Sequence, residues 1–491
     1  MTSFDRATLL NEAPKKIETS PKPGARRWDH HLNLESRGRG VSTLKETSKA
    51  SGQRGLLSLG TGRPLPEYFP WYSLTIETAA PPTHSCNGVS ASCNIGPKPG
   101  CQGDGQSALN ISQALSYGDA AGASSLLHFI TEHVNAIHRP PYADWQCSLT
   151  AGTTSAIEIF LRMFCERGDS LLVEQYTYPG TLEAALPLGI KPIGVGMDDE
   201  GLIPQKLDEI LTSWDKNHHA ERKPRLLYII PTGQNPTGIT QPLARRRAIY
   251  DIAEKHDLLI IEDDPYYYLQ LRSLRQDQST EDFLQGLPIS YLSLDTSGRV
   301  LRLDSTSKIL APGLRCGWVT GPEQLVERFL AHTELSTVST SGVSQLLLSN
   351  LMCERWGQAG LLEWLEHLSA EYREKRDKML MALEQHMPKQ VCSWKIPDAG
   401  MFLWVTIRFG GDSGLKFTKK ELEDKLFEAT LDRGVVYSKG SWFQPPLLEA
   451  EAGPRCVWLR LTYVAAKENE MEVAVAVISG VIKDVFCAIN D

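Results

Sequence analysis

Between Cys147 and Leu303 the chain repeats one pattern: a short apolar run, a turn of small or polar residues, then apolar residues at helical spacing. This alternation restricts the fold more than any other feature, because strands joined by helices run parallel in an open sheet covered on both faces. Cys147–Thr150 runs into Ala151-Gly152-Thr153-Thr154, after which Ile157, Phe160, Leu161 and Phe164 recur at helical steps. Leu171–Glu174 leads to Tyr176, Tyr178-Pro179-Gly180 and a helix from Thr181. Leu226–Ile230 ends at Pro231-Thr232-Gly233-Gln234-Asn235-Pro236-Thr237-Gly238, and Leu258–Ile261 at Glu262-Asp263-Asp264-Pro265-Tyr266. Val300–Leu303 precedes Ser305-Thr306-Ser307-Lys308. Each polar cluster follows a strand, and ligands of open α/β sheets sit outside the carboxyl ends of the strands. The clusters are therefore expected to converge on one cleft.

After Gly342 the rhythm turns helical. Leu361, Leu365, Leu368, Tyr372, Met379, Leu383 and Met387 recur at steps of three, four or seven, which predicts a long helix over 360–387. It leads to a smaller α+β domain with strands at 400–405, 434–437 and 457–461 and a closing helix over 467–489. A chain of 491 residues exceeds what one core usually supports, so two domains are expected. The expected divisions are an N-terminal arm over 1–55 with at most a short helix, a small-domain segment over 56–106, a large domain over 107–345, and a small C-terminal domain over 346–491. The second segment opens with a strand at Leu56–Leu59 running into a glycine-rich turn. Its insert at 80–106, rich in Pro, Ser, Gly and Cys, reads as a flexible loop.

The net charge of -8 argues against a nucleic-acid partner, which calls for a basic face. No apolar stretch reaches the length of a membrane span, and the N-terminus lacks a basic region followed by an apolar one. Glu12 and Glu18 do not suit a mitochondrial presequence, and the final Ile-Asn-Asp is no peroxisomal address, so the cytoplasm is the expected location. His84, Cys86, Cys93 and Cys101 have the ligand count of a zinc site, but their spacing matches no standard one and no metal is expected. Small-molecule chemistry is the remaining default.

Lys308 stands between short hydroxyl residues and a Pro-Gly turn, with Arg315 seven residues later. A lysine amine becomes a nucleophile only where desolvation or a neighbouring cation lowers its pKa. Arg315 supplies such a cation, and with Ser305 and Ser307 it also has the means to grip a phosphate. Taken alone, the segment is better explained as a strand, a solvated lysine and a turn.

Three motifs at their order and spacing remove that ambiguity: Pro231–Gly238, Glu262-Asp263-Asp264-Pro265-Tyr266-Tyr267, and Ser305-Thr306-Ser307-Lys308 with Arg315. With them the chain resembles the fold-type-I pyridoxal-phosphate aminotransferases, and within these the aromatic, 2-aminoadipate and kynurenine group, from about Leu56 to the C-terminus. The resemblance implies a large domain built on a mostly parallel seven-stranded sheet flanked by helices. It makes Lys308 the residue that carries the aldehyde of pyridoxal 5'-phosphate and later moves the substrate α-proton. Asp263 then faces the pyridine nitrogen, Asn235 and Tyr266 the ring hydroxyl, and Tyr178 stacks on the ring, with Tyr176 and Tyr142 as rivals. Thr153, Thr154, Ser305, Ser307 and Arg315 form the phosphate cup, where kynurenine-type relatives usually show Ser-Gln in place of Thr153-Thr154. Tyr117 is similar to the tyrosine that reaches the phosphate of a neighbouring subunit, which implies a homodimer with shared sites; a core tyrosine explains it nearly as well. Arg460 takes the substrate carboxylate, Gly62 brings backbone near the substrate, and Phe402 lines the side-chain pocket.

The activity implied is transfer of an amino group from an amino acid to a 2-oxo acid in two half-reactions. An aromatic donor is preferred, with 2-aminoadipate or kynurenine next. A β-lyase or cyclopropane-forming synthase shares the cofactor chemistry. A ligand-sensing regulator would need a DNA-binding module, for which residues 1–55 offer neither length nor pattern.

Overall fold

The structure, a computed structural model, describes residues 22–40, 59–60, 62–79, 91–95, 109–217, 222–272, 280–409, 418–446 and 456–490. Strands β1 (Leu74–Thr78) and β2 (Ala91–Ile95) form an antiparallel ribbon. Seven strands then make the main sheet: β3 (Trp145–Thr150), β4 (Ser170–Glu174), β5 (Lys191–Val195), β8 (Leu226–Ile229), β9 (Leu259–Asp263), β10 (Val300–Ser305) and β11 (Gly317–Pro322). A small ribbon, β6 (Met197–Asp198) with β7 (Gly201–Leu202), interrupts the series. The order across the main sheet is β3-β11-β10-β9-β8-β4-β5. β9 with β10, β4 with β8 and β4 with β5 pair in parallel, while β11 runs against both β10 and β3. The α/β class and the mostly parallel seven-stranded sheet agree with expectation.

Burial explains why these segments are strands. Every residue of β4, β8, β9 and β10 is buried, the continuous pattern of a sheet covered on both faces. Ile157, Phe160, Leu161 and Phe164 on the helix Thr153–Phe164 are buried too, each worth roughly 1.5–3 kcal/mol.

Two strands of this sheet escape the apolar pattern. β5 contains Pro192, which removes a ladder donor, and it lies at the sheet edge where that loss is tolerated. β11 begins with Gly317 and ends with Pro322, and a Cβ on Gly317 would stand 2.5 Å from the Asp304 carbonyl oxygen. Glycine there marks a close backbone approach, which a sequence reads as a turn.

β12 (Cys392–Trp394), β13 (Phe402–Arg408), β14 (Ser438–Lys439) and β15 (Cys456–Thr462) form a four-stranded sheet in the order β12-β13-β15-β14. The helices Gly357–His386, Lys419–Asp432 and Glu468–Asn490 accompany it. Leu383, Val405, Leu422, Leu459, Val475, Ile478 and Ile482 are part of one apolar core. The expected strand at 434–437 is corrected: Gly434 adopts φ +81 after the helix, and pairing begins only at Ser438. The loop expected at 80–106 is corrected in part, because β2 lies within it and its backbone pairs with β1 although its residues lack apolar alternation. Residues 56–58 of the expected opening strand lie outside the described residues, as do His84, Cys86 and Cys101.

Backbone contacts divide the chain into two compact units that interleave in sequence. The first gathers 1–167, 257–265 and 278–367, and the second 168–256, 266–277 and 368–491. These cuts fall at other points than the contiguous divisions read from composition.

Candidate active site

In the first unit, Lys308 lies three residues beyond the end of β10, in a turn closed by the Leu310 amide donating to the Thr306 carbonyl at 2.8 Å. Thr306 anchors that turn: its hydroxyl and its amide both donate to the Cys316 carbonyl, at 2.7 and 3.2 Å. Ser305 Oγ accepts from the Ser307 amide at 3.1 Å. The lysine is thus held by the two strands β10 and β11 and is only partly buried.

Arg315 adopts a left-handed φ of +46 and donates from Nη1 to the Pro312 carbonyl at 3.3 Å. Its guanidinium reaches Gly152, where an added Cβ would stand 2.2 Å from Nη2. Gly152 has φ +83 and is the N-cap of the helix Thr153–Phe164, whose start has no side-chain cap. A helix N-terminus whose amides lack a capping side chain, with a guanidinium against its cap residue, is a receptor for an anion. Thr153 is half-buried there and Thr154 exposed. These groups fit the phosphate of pyridoxal phosphate by their own chemistry.

Asp263 ends β9 beside Leu303 of β10 and is buried. Its neighbours in the acidic triplet do different work. Arg302, fully buried, sits 3.0 Å from a carboxylate oxygen of Glu262, 3.0 Å from Asp264 and 2.8 Å from Asp304. Burial alone would pull the Arg302 pKa down, but the surrounding carboxylates hold it well above the usual value, while burial pushes the Asp304 carboxyl up. Because side chains alternate along a strand, Glu262 and Asp264 share the face that meets Arg302, and Asp263 faces the other way. This network is not legible in the sequence, although an arginine inside an apolar strand is a signal of one.

In the second unit, β8 leads to the turn that carries Asn235. Gln234 organises it: Nε2 donates to Glu174 Oε2 at 3.1 Å and to the Tyr176 carbonyl at 2.6 Å, while Oε1 accepts from the amide and hydroxyl of Thr237 at 2.9 and 2.7 Å. Gly233, at φ +52, lies against Gly400, where its Cβ would stand 2.6 Å from Cα. Only two glycines permit that approach. The Asn235–Pro236 peptide is cis.

Arg460, on β15 opposite Trp404 of β13 and Ser438 of β14, donates from Nη1 to Asn235 Oδ1 at 2.8 Å and from Nη2 to Ser438 Oγ at 3.0 Å. Its guanidinium lies 4.4 Å from the Phe402 ring centre and 4.8 Å from that of Phe443. Burial lowers its pKa, and the nearby Tyr266 and Tyr178 act in the opposite direction. Tyr266 meets Phe402 edge-on at 5.6 Å. Asn235, Tyr178, Tyr266 and Phe402 are thereby gathered around the Arg460 guanidinium.

Tyr176 and Tyr142, the rivals of Tyr178, have surroundings of their own. Tyr176 packs against Trp404 and Trp458 at 5.3 and 5.2 Å, and Tyr142 is fully buried in the first unit. Gly62 is exposed with nothing within 4 Å of where a Cβ would stand, and Tyr117 is 63 % exposed without a hydrogen bond or ring contact among the described residues. The chain by itself does not attach these two to the other groups. Ser438, Phe443 and Gln234 were not singled out from the sequence; only Gln234 falls within a motif.

The family model described as aminotransferase class I and II matches residues 103–478. An aminotransferase named swnA from Arthroderma benhamiae is 44% identical over 480 residues, covering 95% of this chain and 94% of its own. An aromatic amino acid aminotransferase of Schizosaccharomyces pombe is 39% identical over 93% of this chain and 98% of its own. Among solved structures, the aminotransferase Aro8 from Candida albicans superimposes with a TM-score of 0.85 at 36% identity, covering 94% of this chain and 99% of that one.

Proposed function

This chain belongs to the class I and II aminotransferases, fold type I, and from that premise we propose an aromatic amino acid as its donor and a 2-oxo acid as its acceptor. The observation that carries the donor is the setting of Arg460: a guanidinium suited to a carboxylate, with Phe402 and Phe443 at its sides and Tyr266 against Phe402. Aromatic rings beside a carboxylate anchor favour an aromatic side chain through stacked and edge contacts worth about 0.5–1.5 kcal/mol each. The aromatic amino acid aminotransferase of Schizosaccharomyces pombe supports the same donor.

Pyridoxal phosphate supplies a carbonyl that accepts the amino group and a ring that withdraws electrons from the substrate α-carbon. The uncapped helix start at Gly152 with Thr153 and Thr154, together with Ser305, Ser307 and Arg315, would hold its phosphate. Asp263, kept apart from the Arg302 network by strand alternation, would keep the ring nitrogen protonated. Asn235 and Tyr266 would set the ring hydroxyl, and Tyr178 would cover the ring face. Arg460 binds both carboxylate oxygens and so fixes which α-bond is broken. Lys308 Nζ would hold the cofactor carbonyl, and the same nitrogen would accept the proton from the substrate α-carbon.

Homodimer formation is part of the proposal. The exposure of Tyr117 supports this reading, in which its ring serves a second copy of the chain. The cytoplasm remains the proposed location; among the described residues no helix is long and apolar enough to cross a membrane.

The test is a product balance with the cofactor-loaded protein offered phenylalanine, tyrosine, 2-aminoadipate and kynurenine, each with 2-oxoglutarate. Aromatic donors should give stoichiometric oxo acid and glutamate with the highest kcat/KM. Faster turnover of 2-aminoadipate or kynurenine would reassign the donor, and ammonia released without a transferred amine would replace the transaminase by a lyase.

A further inference from the structure

The N-terminal segment is bound to the first unit by contacts distant in sequence. The Arg26 amide donates to the Ser297 carbonyl at 2.9 Å and the Trp28 amide to Gln324 Oε1 at 2.8 Å, while Arg299 lies 5.0 Å over the Trp28 ring. Asn33 Nδ2 lies 2.6 Å from the Arg162 carbonyl and 2.8 Å from that of Cys165. Between these anchors, a single 3-10 turn at Asp29–His31 presents two imidazoles to one carboxylate.

His30 Nε2 is 2.9 Å and His31 Nε2 3.1 Å from the same oxygen, Asp257 Oδ2, and the three atoms lie within 4.8 Å of one another. We propose that His30, His31 and Asp257 bind one divalent transition-metal ion of the zinc or cobalt type, through the two Nε2 atoms and Oδ2.

Three observations support this. The first is convergence: two ring donors seeking hydrogen bonds have two carboxylate oxygens to divide between them, yet both approach Oδ2. The second is spacing. Ligands about 2.1 Å from a zinc ion stand ~3.0 Å apart at right angles and ~3.4 Å apart in a tetrahedron, so the two nitrogen-to-oxygen distances need only small adjustment. The third is the backbone of Asp257, which follows the helix Leu243–His256 at φ +56, a conformation that favours glycine. Asp is among the few side chains that tolerate it, and from this turn its carboxylate meets both imidazoles.

Ligand type and exposure define the ion. Two imidazoles with one carboxylate suit zinc, cobalt or nickel rather than magnesium or calcium, which take oxygen ligands. His31 is fully buried, whereas the side chains of His30 and Asp257 are about half exposed, which leaves the outer coordination positions to water. The ion would join positions 226 residues apart in sequence and fasten the arm to the turn between the helix Leu243–His256 and β9.

The experiment uses full-length, cofactor-loaded protein freed of metal by chelator and dialysed. Zinc chloride is titrated by calorimetry into wild type, His30→Gln and Asp257→Asn, with magnesium chloride as a control. Wild type should bind one equivalent in the micromolar range that both variants lose or bind about tenfold or more weakly. Saturating zinc should raise the Tm of wild type and not of His30→Gln. His30 is exposed and outside the proposed catalytic groups, so unchanged turnover of His30→Gln certifies its fold. Zinc bound equally by wild type and both variants, through cysteines or the cofactor, would overturn the proposal, as would no binding by wild type or equal binding of magnesium at this site.

Discussion

Arg460 donates to Asn235 at 2.8 Å, joining residues 225 positions apart that sit on different kinds of support, one on a strand and the other in a turn. A guanidinium that holds the asparagine through Nη1 and Ser438 through Nη2 is oriented before any carboxylate arrives. Arg460→Lys keeps the charge but loses the planar fork. Its kcat/KM for an aromatic donor should fall about 10- to 100-fold, in line with about 1.5–3 kcal/mol for a charged hydrogen bond. Asn235→Ala should lower kcat/KM as well, and a double-mutant cycle should give strong non-additivity. Additive effects would mean that the two residues act separately.

Lys308→Ala should abolish steady-state turnover while the purified variant still binds pyridoxal phosphate, because the phosphate groups at Gly152, Ser305 and Arg315 are untouched. Equilibrium dialysis measures retention, and a coupled glutamate assay measures turnover. Persistent wild-type activity would remove Lys308 from the chemistry.

Gly152→Ala places a methyl group 2.2 Å from Arg315 Nη2 in a backbone with φ +83. Arg315 must move and the turn is strained by about 1–3 kcal/mol. Cofactor affinity should drop by about tenfold or more, as expected when a charged hydrogen bond is lost, with a lower Tm in a thermal melt. Unchanged affinity would show that Arg315 plays no part in holding the phosphate.

The acidic triplet separates into two phenotypes. Asp263→Asn should depress kcat strongly with little loss of Tm. Asp264→Asn removes one of the carboxylates around buried Arg302 and should lower stability by about 1–3 kcal/mol in urea unfolding. Similar behaviour of the two variants would contradict the assignment of opposite strand faces.

Burial pushes the Glu174 carboxyl up to about 8, against the hydrogen bonds from Gln234 and the Ile230 amide. Since the folded protein holds this proton more tightly than an unfolded chain with a pKa of about 4.3, the contribution to stability is complete below that value. It is lost as pH rises through about 8. Glu174→Gln mimics the protonated form, so the Tm of wild type relative to this variant should fall steadily between pH 5 and 8. A difference independent of pH would mean that Glu174 does not titrate in that range.

Much of the protein was present in the sequence. The alternating apolar runs specified β3, β4, β8, β9 and β10 because burial on both faces demands unbroken apolar segments, and Lys308, Asn235 and Asp263 were marked by turns that follow such strands. What the sequence could not express was pairing between distant residues. β11 is a strand because Gly317 lets it approach Asp304, and a glycine read locally signals a turn. Tyr176 is packed by two tryptophans more than 200 residues away, and the acidic neighbours of Asp263 meet Arg302 of the adjacent strand. Local pattern determined which segments form strands and which polar turns follow them; only tertiary packing decided which of several like residues is absorbed by a buried partner, because those partners lie far away in sequence.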